Sequence, residues 1–202
     1  MKGPVVLGVD LGKRLTPTTI VAVERRLGAR VWDPARFCWK TGEASREMMV
    51  RWIEAVPLGT SYEGVAQRIW NVAEQAGASA IWMDGTGVGV AVEEMVRARC
   101  PAGLRCALRP LMITGGMGVK GKSVGRGELL SRLAMEWEQG RVKVAPGLSR
   151  WPELRWELLG LDGEGRKRYG RRDDLALGLA LAIWGFTGAG AGVGERAEGR
   201  VV

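Results

Sequence analysis

The chain has 202 residues, of which 46% are hydrophobic, so it can form one domain with a sizeable core. Its 30 Lys and Arg residues outnumber 22 Asp and Glu residues, and the resulting net charge of +8 favours an anionic partner such as nucleic acid. Histidine and CxxC pairs are absent, which excludes the usual zinc sites, and no apolar run reaches the roughly 20 residues of a membrane helix.

The first part of the chain predicts strands followed by a helix. Apolar and β-branched runs indicate strands over residues 4–10 and 18–24, and a third strand after a turn within residues 29–40. The short turns between these runs predict an antiparallel meander. Apolar residues at helical spacing then predict a helix with Ser61 as its N-cap and Gly77 as its stop.

The middle of the chain alternates strands and helices. Residues 79–84 form a short apolar run, a glycine-rich turn leads from it into a helix, and residues 104–113 predict the next strand. This β-α-β order implies parallel pairing with a right-handed crossover. Residues 114–127 are Gly-rich, basic and free of acids, which predicts a mobile surface loop.

The last part of the chain predicts three helices. One ends at Gly140, one covers residues 151–159 and one covers residues 173–186. We expect residues 1–187 to form one domain. Residues 188–202 are Gly- and Ala-rich, and we expect them to be a disordered tail.

Acidic residues stand at the ends of three apolar segments. Asp10 closes the first strand, Asp84 closes the run 79–84, and Asp173 and Asp174 open the last helix. Carboxylates at such positions are costly unless something pairs with them. Oxygen ligands without histidine suit Mg²⁺ or Mn²⁺, and two such ions form the usual clamp for cleaving a phosphodiester. We therefore predict that these four aspartates are the metal ligands and the catalytic residues. The sequence leaves open whether Asp173 or Asp174 binds metal more directly.

Several stretches resemble the nuclease domain of phage DNA-packaging terminase large subunits. Residues 9–12 resemble its first-strand aspartate motif, residues 83–89 are similar to its D-x-T-G-V-G motif, and residues 172–184 resemble its C-terminal helix. Weaker similarities fall between these motifs, and the order is kept over roughly residues 4–186. Arg172 stands where the family often has histidine, and Arg126 stands where it often has lysine.

The resemblance implies a ribonuclease H-like α/β fold, with an antiparallel three-strand meander followed by parallel strands. It implies an endonuclease that cleaves double-stranded DNA with little sequence specificity, using two Mg²⁺ or Mn²⁺ ions, in phage DNA packaging. The implied partners are duplex DNA and a separate terminase ATPase, small terminase subunit and portal, in the cytoplasm of a bacterial host. The string at residues 118–123 lacks P-loop spacing, so no ATPase motor is expected in this sequence.

Basic residues near the expected site would neutralise the phosphates of DNA. They lie in the turn after the first strand, in the loop before residue 127 and in a second basic loop over residues 160–172. The candidate DNA-binding residues are Lys13, Arg14, Lys120, Lys122, Arg126, Arg166, Lys167, Arg168, Arg171 and Arg172.

Three alternative functions remain open from the sequence. The same fold serves ribonucleases H, which cut RNA–DNA hybrids, and junction-resolving nucleases. Residues 9–12 also resemble the phosphate motif of actin-like sugar kinases, although the chain is short for their two lobes. The third alternative is a non-catalytic DNA-binding module of a packaging assembly.

Overall fold

The computed structural model describes residues 3–12, 16–26, 30–41, 47–87, 89–161 and 172–188. Within these ranges a mixed sheet carries helices on both faces, and a small hairpin stands apart from it. The strands are β1 Val5–Asp10, β2 Thr19–Arg25, β3 Arg30–Asp33, β4 Cys38–Thr41, β5 Met48–Ala55, β6 Ala78–Asp84, β7 Ala107–Thr114, β8 Val119–Lys120, β9 Ser123–Gly125 and β10 Val142–Val144. The helices are α1 Tyr62–Ala76, α2 Gly89–Ala98, α3 Arg126–Glu138, α4 Trp151–Leu158 and α5 Asp174–Thr187.

The main sheet has eight strands in the order β10-β5-β2-β1-β6-β7-β9-β8. Strands β1, β2 and β5 pair antiparallel, whereas β1, β6, β7 and β9 run parallel to one another. Every residue of β1 is buried, as its apolar run predicts for a central strand covered on both faces. The predicted combination of an antiparallel meander with parallel strands is confirmed.

The third strand of the meander is not where the sequence pattern placed it. Of the predicted segment 29–40, the described residues 30–40 do not join the main sheet, because β3 and β4 pair with each other as a separate two-stranded hairpin. Trp32 and Trp39 face each other across this hairpin, with ring centroids 5.6 Å apart. The third strand is β5, whose apolar residues are interrupted by Arg51 and Glu54, so its pattern is a weak strand signal.

The predicted mobile loop at residues 114–127 is also partly wrong. Strand β9 pairs parallel with β7, β8 pairs antiparallel with β9, and α3 begins at Arg126. Glycine is required at Gly125, because a Cβ there would lie 2.5 Å from the carbonyl oxygen of Gly116. Two glycine-rich backbone segments therefore pack together and extend the sheet.

The helices confirm the predicted capping signals and build two cores. Ser61 accepts a hydrogen bond from the amide of Gly64, and Gly77 ends α1 in the left-handed conformation. Helices α1 and α2 cover one face of the sheet, while α5, flanked by α3 and α4, covers the other. Helix α5 is apolar on all sides and almost fully buried, which matches a central core helix.

Two further findings concern membrane-spanning helices and the C-terminal tail. No helix in the described ranges is long and apolar enough to cross a membrane. The predicted disordered tail falls on residues 188–202, of which 189–202 lie outside the described residues.

Candidate metal centre

Two of the predicted aspartates end adjacent parallel strands. Strands β1 and β6 pair up to Val9 and Met83, and Asp10 and Asp84 come next in each strand. Side chains alternate between the two faces of a strand, and Val6 and Trp82 pack into the core beneath α5. Asp10 and Asp84 therefore share the α5 face at the carboxyl end of the parallel strands.

The other two aspartates are brought to the same edge by the start of α5. Asp10 pairs with Thr19 across the β1–β2 ladder, and the hydroxyl of Thr19 donates a hydrogen bond of 2.8 Å to the carbonyl oxygen of Asp174. Thr19 is buried, so this bond between distant parts of the chain is protected from water. It fixes the first turn of α5 beside the end of β1.

Asp84 is held by the turn that follows β6 and is hydrogen-bonded to β7. Its carboxylate accepts a hydrogen bond of 2.8 Å from the amide of Thr86. The Thr86 hydroxyl in turn accepts from the amide of Ile113 and donates to its carbonyl oxygen. Asp84 is not the N-cap of α2, which begins at Gly89. The glycine-rich motif therefore orients this carboxylate at the strand end.

Asp173 forms an ion pair with an arginine of α3. It is the N-cap residue of α5 by position but makes no capping hydrogen bond through its side chain. Its buried carboxylate instead binds the guanidinium of Arg126, the residue predicted to contact DNA in place of a lysine. Arg126 thus brings a positive charge to the edge where the four aspartates meet.

The electrostatics of Asp10 show how close these charges are. Burial raises the pKa of the Asp10 carboxyl well above its ordinary value, the charges of Asp174 and Asp84 raise it further, and Arg126 opposes them. A buried carboxylate beside other carboxylates is unfavourable when ionised. A divalent cation would relieve this cost, and an all-oxygen set without histidine or thiolate fits Mg²⁺ or Mn²⁺.

The four aspartates are neighbours but are not arranged as ligands. No group of three or more Asp, Glu, Cys or His side chains among the described residues stands in an arrangement that could hold a metal ion. The ion pair with Arg126 engages one oxygen of the Asp173 carboxylate, Oδ2.

A further acid of this region escaped the sequence analysis. Glu153 and Glu157 lie four residues apart in the sequence, a spacing that puts them on one helix face and predicts that both are solvated. This prediction is correct for Glu153 but wrong for Glu157. The carboxylate of Glu157 is buried and accepts a hydrogen bond of 2.9 Å from the amide of Ala176 in the first turn of α5. No spacing rule could have shown this, because the partner lies on another helix.

Glu157 makes a pH-dependent contribution to stability. Burial raises its pKa from 4.5 to about 7, the Ala176 amide opposes the rise, and Asp174 and Asp173 add to it. The folded state keeps the Glu157 carboxyl protonated to a higher pH than the unfolded state does. The stability that comes from this protonated carboxyl is therefore fully present below pH 4.5 and is lost as the pH rises through 7.

We expect Glu157→Gln to remove this dependence. Relative to wild type, the variant should gain stability between pH 4.5 and pH 7.5, by up to about 3 kcal/mol. Urea unfolding at four pH values in this interval measures the difference. Glu153→Gln, on the same helix but exposed, is the matched control and should follow the wild-type curve. If the free energies of unfolding of Glu157→Gln and wild type changed in parallel with pH, the raised pKa of Glu157 would be contradicted.

A cleft opens beside the aspartates on the α4 side. It has a volume of about 650 Å³, and its lining includes Asp174, Thr19, Arg150, Arg172 and Trp156. Trp156 is 61% exposed. A groove that combines arginines with an exposed indole next to carboxylates has the chemistry to hold a nucleic-acid strand.

The candidate DNA-binding residues have separate positions. Lys120 and Lys122 are exposed at the β8–β9 edge of the sheet, Arg172 is exposed beside the cleft, and Arg126 pairs with Asp173. The remaining candidates lie outside the described residues, namely Lys13, Arg14, Arg166, Lys167, Arg168 and Arg171.

Comparisons with known proteins show which solved structures share this fold. No family model matches the sequence, and no curated protein sequence does. The crystal structure of the large terminase nuclease from thermophilic phage G20c with bound cobalt is 21% identical, with a TM-score of 0.60 over 89% of this chain and 80% of that chain. The human cytomegalovirus terminase nuclease domain is 13% identical, with a TM-score of 0.56 over 91% and 84%.

A third solved structure also carries a metal. A variant nuclease domain of the large terminase subunit of bacterial virus Sf6, with manganese, is 15% identical, with a TM-score of 0.57 over 90% of this chain and 88% of that chain. The resemblance seen in the sequence motifs is confirmed at the level of the fold, which is the ribonuclease H-like fold of terminase nuclease domains.

Proposed function

We propose that the protein is a metal-dependent endonuclease of the terminase type, which cleaves double-stranded DNA with little sequence specificity. The observation that carries the proposal is that the fold brings Asp10, Asp84, Asp173 and Asp174 to one edge of the sheet. Its fold neighbours include terminase nucleases solved with cobalt and with manganese. Phage DNA packaging with a separate ATPase, small subunit and portal is the setting that we propose.

Each residue of the site has a distinct task in this proposal. Asp10 and Asp84 provide rigid oxygen ligands, because a strand ladder and a hydrogen-bonded turn fix them. Asp174 and Asp173 complete the ligand set from the start of α5, and Arg126 balances the charge of Asp173. Two bound Mg²⁺ or Mn²⁺ ions would lower the pKa of an attacking water and stabilise the leaving oxygen of the phosphodiester.

The cleft beside Asp174 would position the strand to be cut. Arg150 and Arg172 would contact backbone phosphates, which hold DNA in register without reading its sequence. Trp156 offers an exposed indole face to a nearby base or sugar. This combination supports cleavage with little sequence preference.

A plasmid assay tests the proposal. We expect the purified protein with Mn²⁺ to nick and linearise supercoiled plasmid, and EDTA to stop the reaction. RNA–DNA hybrid and four-way junction substrates of equal length should be cut more slowly than duplex. Faster cleavage of either would favour the other ribonuclease H-like nucleases, and DNA binding without cleavage would favour a non-catalytic module.

Metal binding should also stabilise the fold. Because a cation relieves the repulsion around Asp10, Mn²⁺ at 100 times its Kd should add about 2.7 kcal/mol, or roughly 5–10 °C in Tm. The gain should be smaller at pH 5, where protons compete for the carboxylates. Thermal melts of wild type with and without Mn²⁺ at both pH values measure it. Asp10→Asn is the control, and an equal gain in that variant would contradict the assignment.

A further inference from the structure

A second cleft lies at the β7–β9 edge of the sheet, where Trp184 of α5 lines it from one face and Arg97 of α2 from the other. It has a volume of about 480 Å³, and its polar lining consists of basic side chains. Arg97 comes from the end of α2, Arg109 from β7 and Lys122 from the β8–β9 turn. Two indoles, Trp82 and Trp184, contribute to its apolar wall, and no acidic residue lines it.

The cleft is close to the aspartates along the strand. Trp82 lines it and precedes Asp84 by two residues in β6, so both side chains point to the same face. Two residues of a strand span about 7 Å. Arg109 pairs with Trp82 in the β6–β7 ladder, so its backbone lies at the same level of the sheet, and its side chain lines the cleft. The backbone of Arg109 therefore lies two strand residues from the level of Asp84 in the sheet.

The charge of the cleft specifies its ligand. Three cations without a lining acid favour an anion, although Arg97 also pairs with Glu93 on its own helix. Arg109 is half-buried, and a partly desolvated guanidinium binds a phosphate oxygen more strongly than an exposed one. The open shape of the cleft, with exposed Lys122 at its rim, suits a continuous strand that enters and leaves.

We propose that this cleft binds backbone phosphates of the substrate DNA, adjacent to the phosphate that is cleaved. The proposal rests on the nuclease function above. It adds Arg97 and Arg109 to the candidate DNA contacts, beside Lys122, which the sequence already suggests. They hold the strand on the β7 side of the aspartates, while Arg150 and Arg172 hold it on the α4 side. In this arrangement the protein binds the DNA strand on both sides of the cleavage site.

Binding in EDTA tests this without relying on cleavage. A fluorescein-labelled 20-bp duplex is titrated with protein at several KCl concentrations between 50 and 200 mM, and anisotropy gives Kd. Arg109→Gln and Lys122→Gln should each weaken binding several-fold and lower the slope of log K against log salt by about 0.9. Lys122 lies on an exposed turn, so Lys122→Gln should keep the wild-type fold and tests the proposal even if the Arg109 variant misfolds.

Arg36→Gln, exposed on the β3–β4 hairpin, is the matched control and should bind like wild type. If both cleft variants also bind like wild type, the proposal is wrong, whatever the plasmid assay shows. Competition with dAMP and with inorganic phosphate identifies the source of the phosphate. Variants that lose dAMP binding but keep full duplex affinity would make the cleft a nucleotide site and overturn the proposal.

Discussion

Asp84→Asn should reduce Mn²⁺-dependent plasmid cleavage by more than about 100-fold, because even residues that only support metal ligands cost 10- to 100-fold. The substitution removes the negative charge of one proposed ligand and changes little else. An asparagine oxygen can still accept the hydrogen bond from the Thr86 amide, so the turn after β6 should keep its shape. Initial rates of nicking at saturating Mn²⁺ measure the effect.

The matched control makes the same chemical change away from the site. Asp33 lies in the β3–β4 hairpin, where its carboxylate accepts a hydrogen bond from the amide of Ala35. Asparagine can accept the same bond, so Asp33→Asn should cleave at the wild-type rate. Circular dichroism of both variants should match wild type, and the Tm of Asp84→Asn without metal should be at least that of wild type, because the lost charge repels Asp10. Cleavage by Asp84→Asn at the wild-type rate would remove Asp84 from the catalytic site.

Gly8→Ala should be the most destabilising small substitution in the described part of the sheet. A Cβ at Gly8 would lie 1.9 Å from the carbonyl oxygen of Gly178 and 2.4 Å from the amide nitrogen of Ala182. Both are backbone atoms of α5, so no side-chain rotation can relieve the clash. Overpacking usually costs 1–3 kcal/mol, and we expect at least about 3 kcal/mol here.

Gly8→Ala should also displace the aspartates that α5 carries. A loss of about 3 kcal/mol corresponds to a fall in Tm of roughly 6–12 °C for a domain of this size. Because α5 carries Asp173 and Asp174, moving it away from β1 should also reduce cleavage at temperatures where the variant is folded. Gly115→Ala is the control, since a Cβ there meets no atom within 4 Å. Equal Tm values for Gly8→Ala and Gly115→Ala would contradict the close approach of α5 to β1.

Local signals in the sequence were sufficient for much of the fold. Ser61 and Gly77 marked both ends of α1, since capping chemistry is local. The aspartates at strand ends could be predicted because parallel strands bring their carboxyl ends to one edge. The β5 strand was missed because Arg51 and Glu54 interrupt its apolar pattern. Aromatic residues at 29–40 gave a stronger strand signal for what is a separate hairpin.

The contacts that shape the site could not be predicted in the same way. The bond from Thr19 to Asp174 joins residues 155 positions apart, and the ion pair of Arg126 with Asp173 joins two helices. A helical pattern also cannot show which face of a short helix is covered, so Glu157 was misassigned to solvent. Such contacts depend on how elements pack, which only the assembled structure reveals.

The central claim is that Asp10, Asp84, Asp173 and Asp174 bind the divalent ions of a nuclease. A crystal soaked in MnCl₂, with anomalous diffraction collected to locate manganese, tests it most directly. We predict anomalous peaks within bonding distance of Asp10 and Asp84 and of at least one of Asp173 and Asp174. Manganese bound only at other carboxylates, or no peak at this edge at saturating Mn²⁺, would contradict the account.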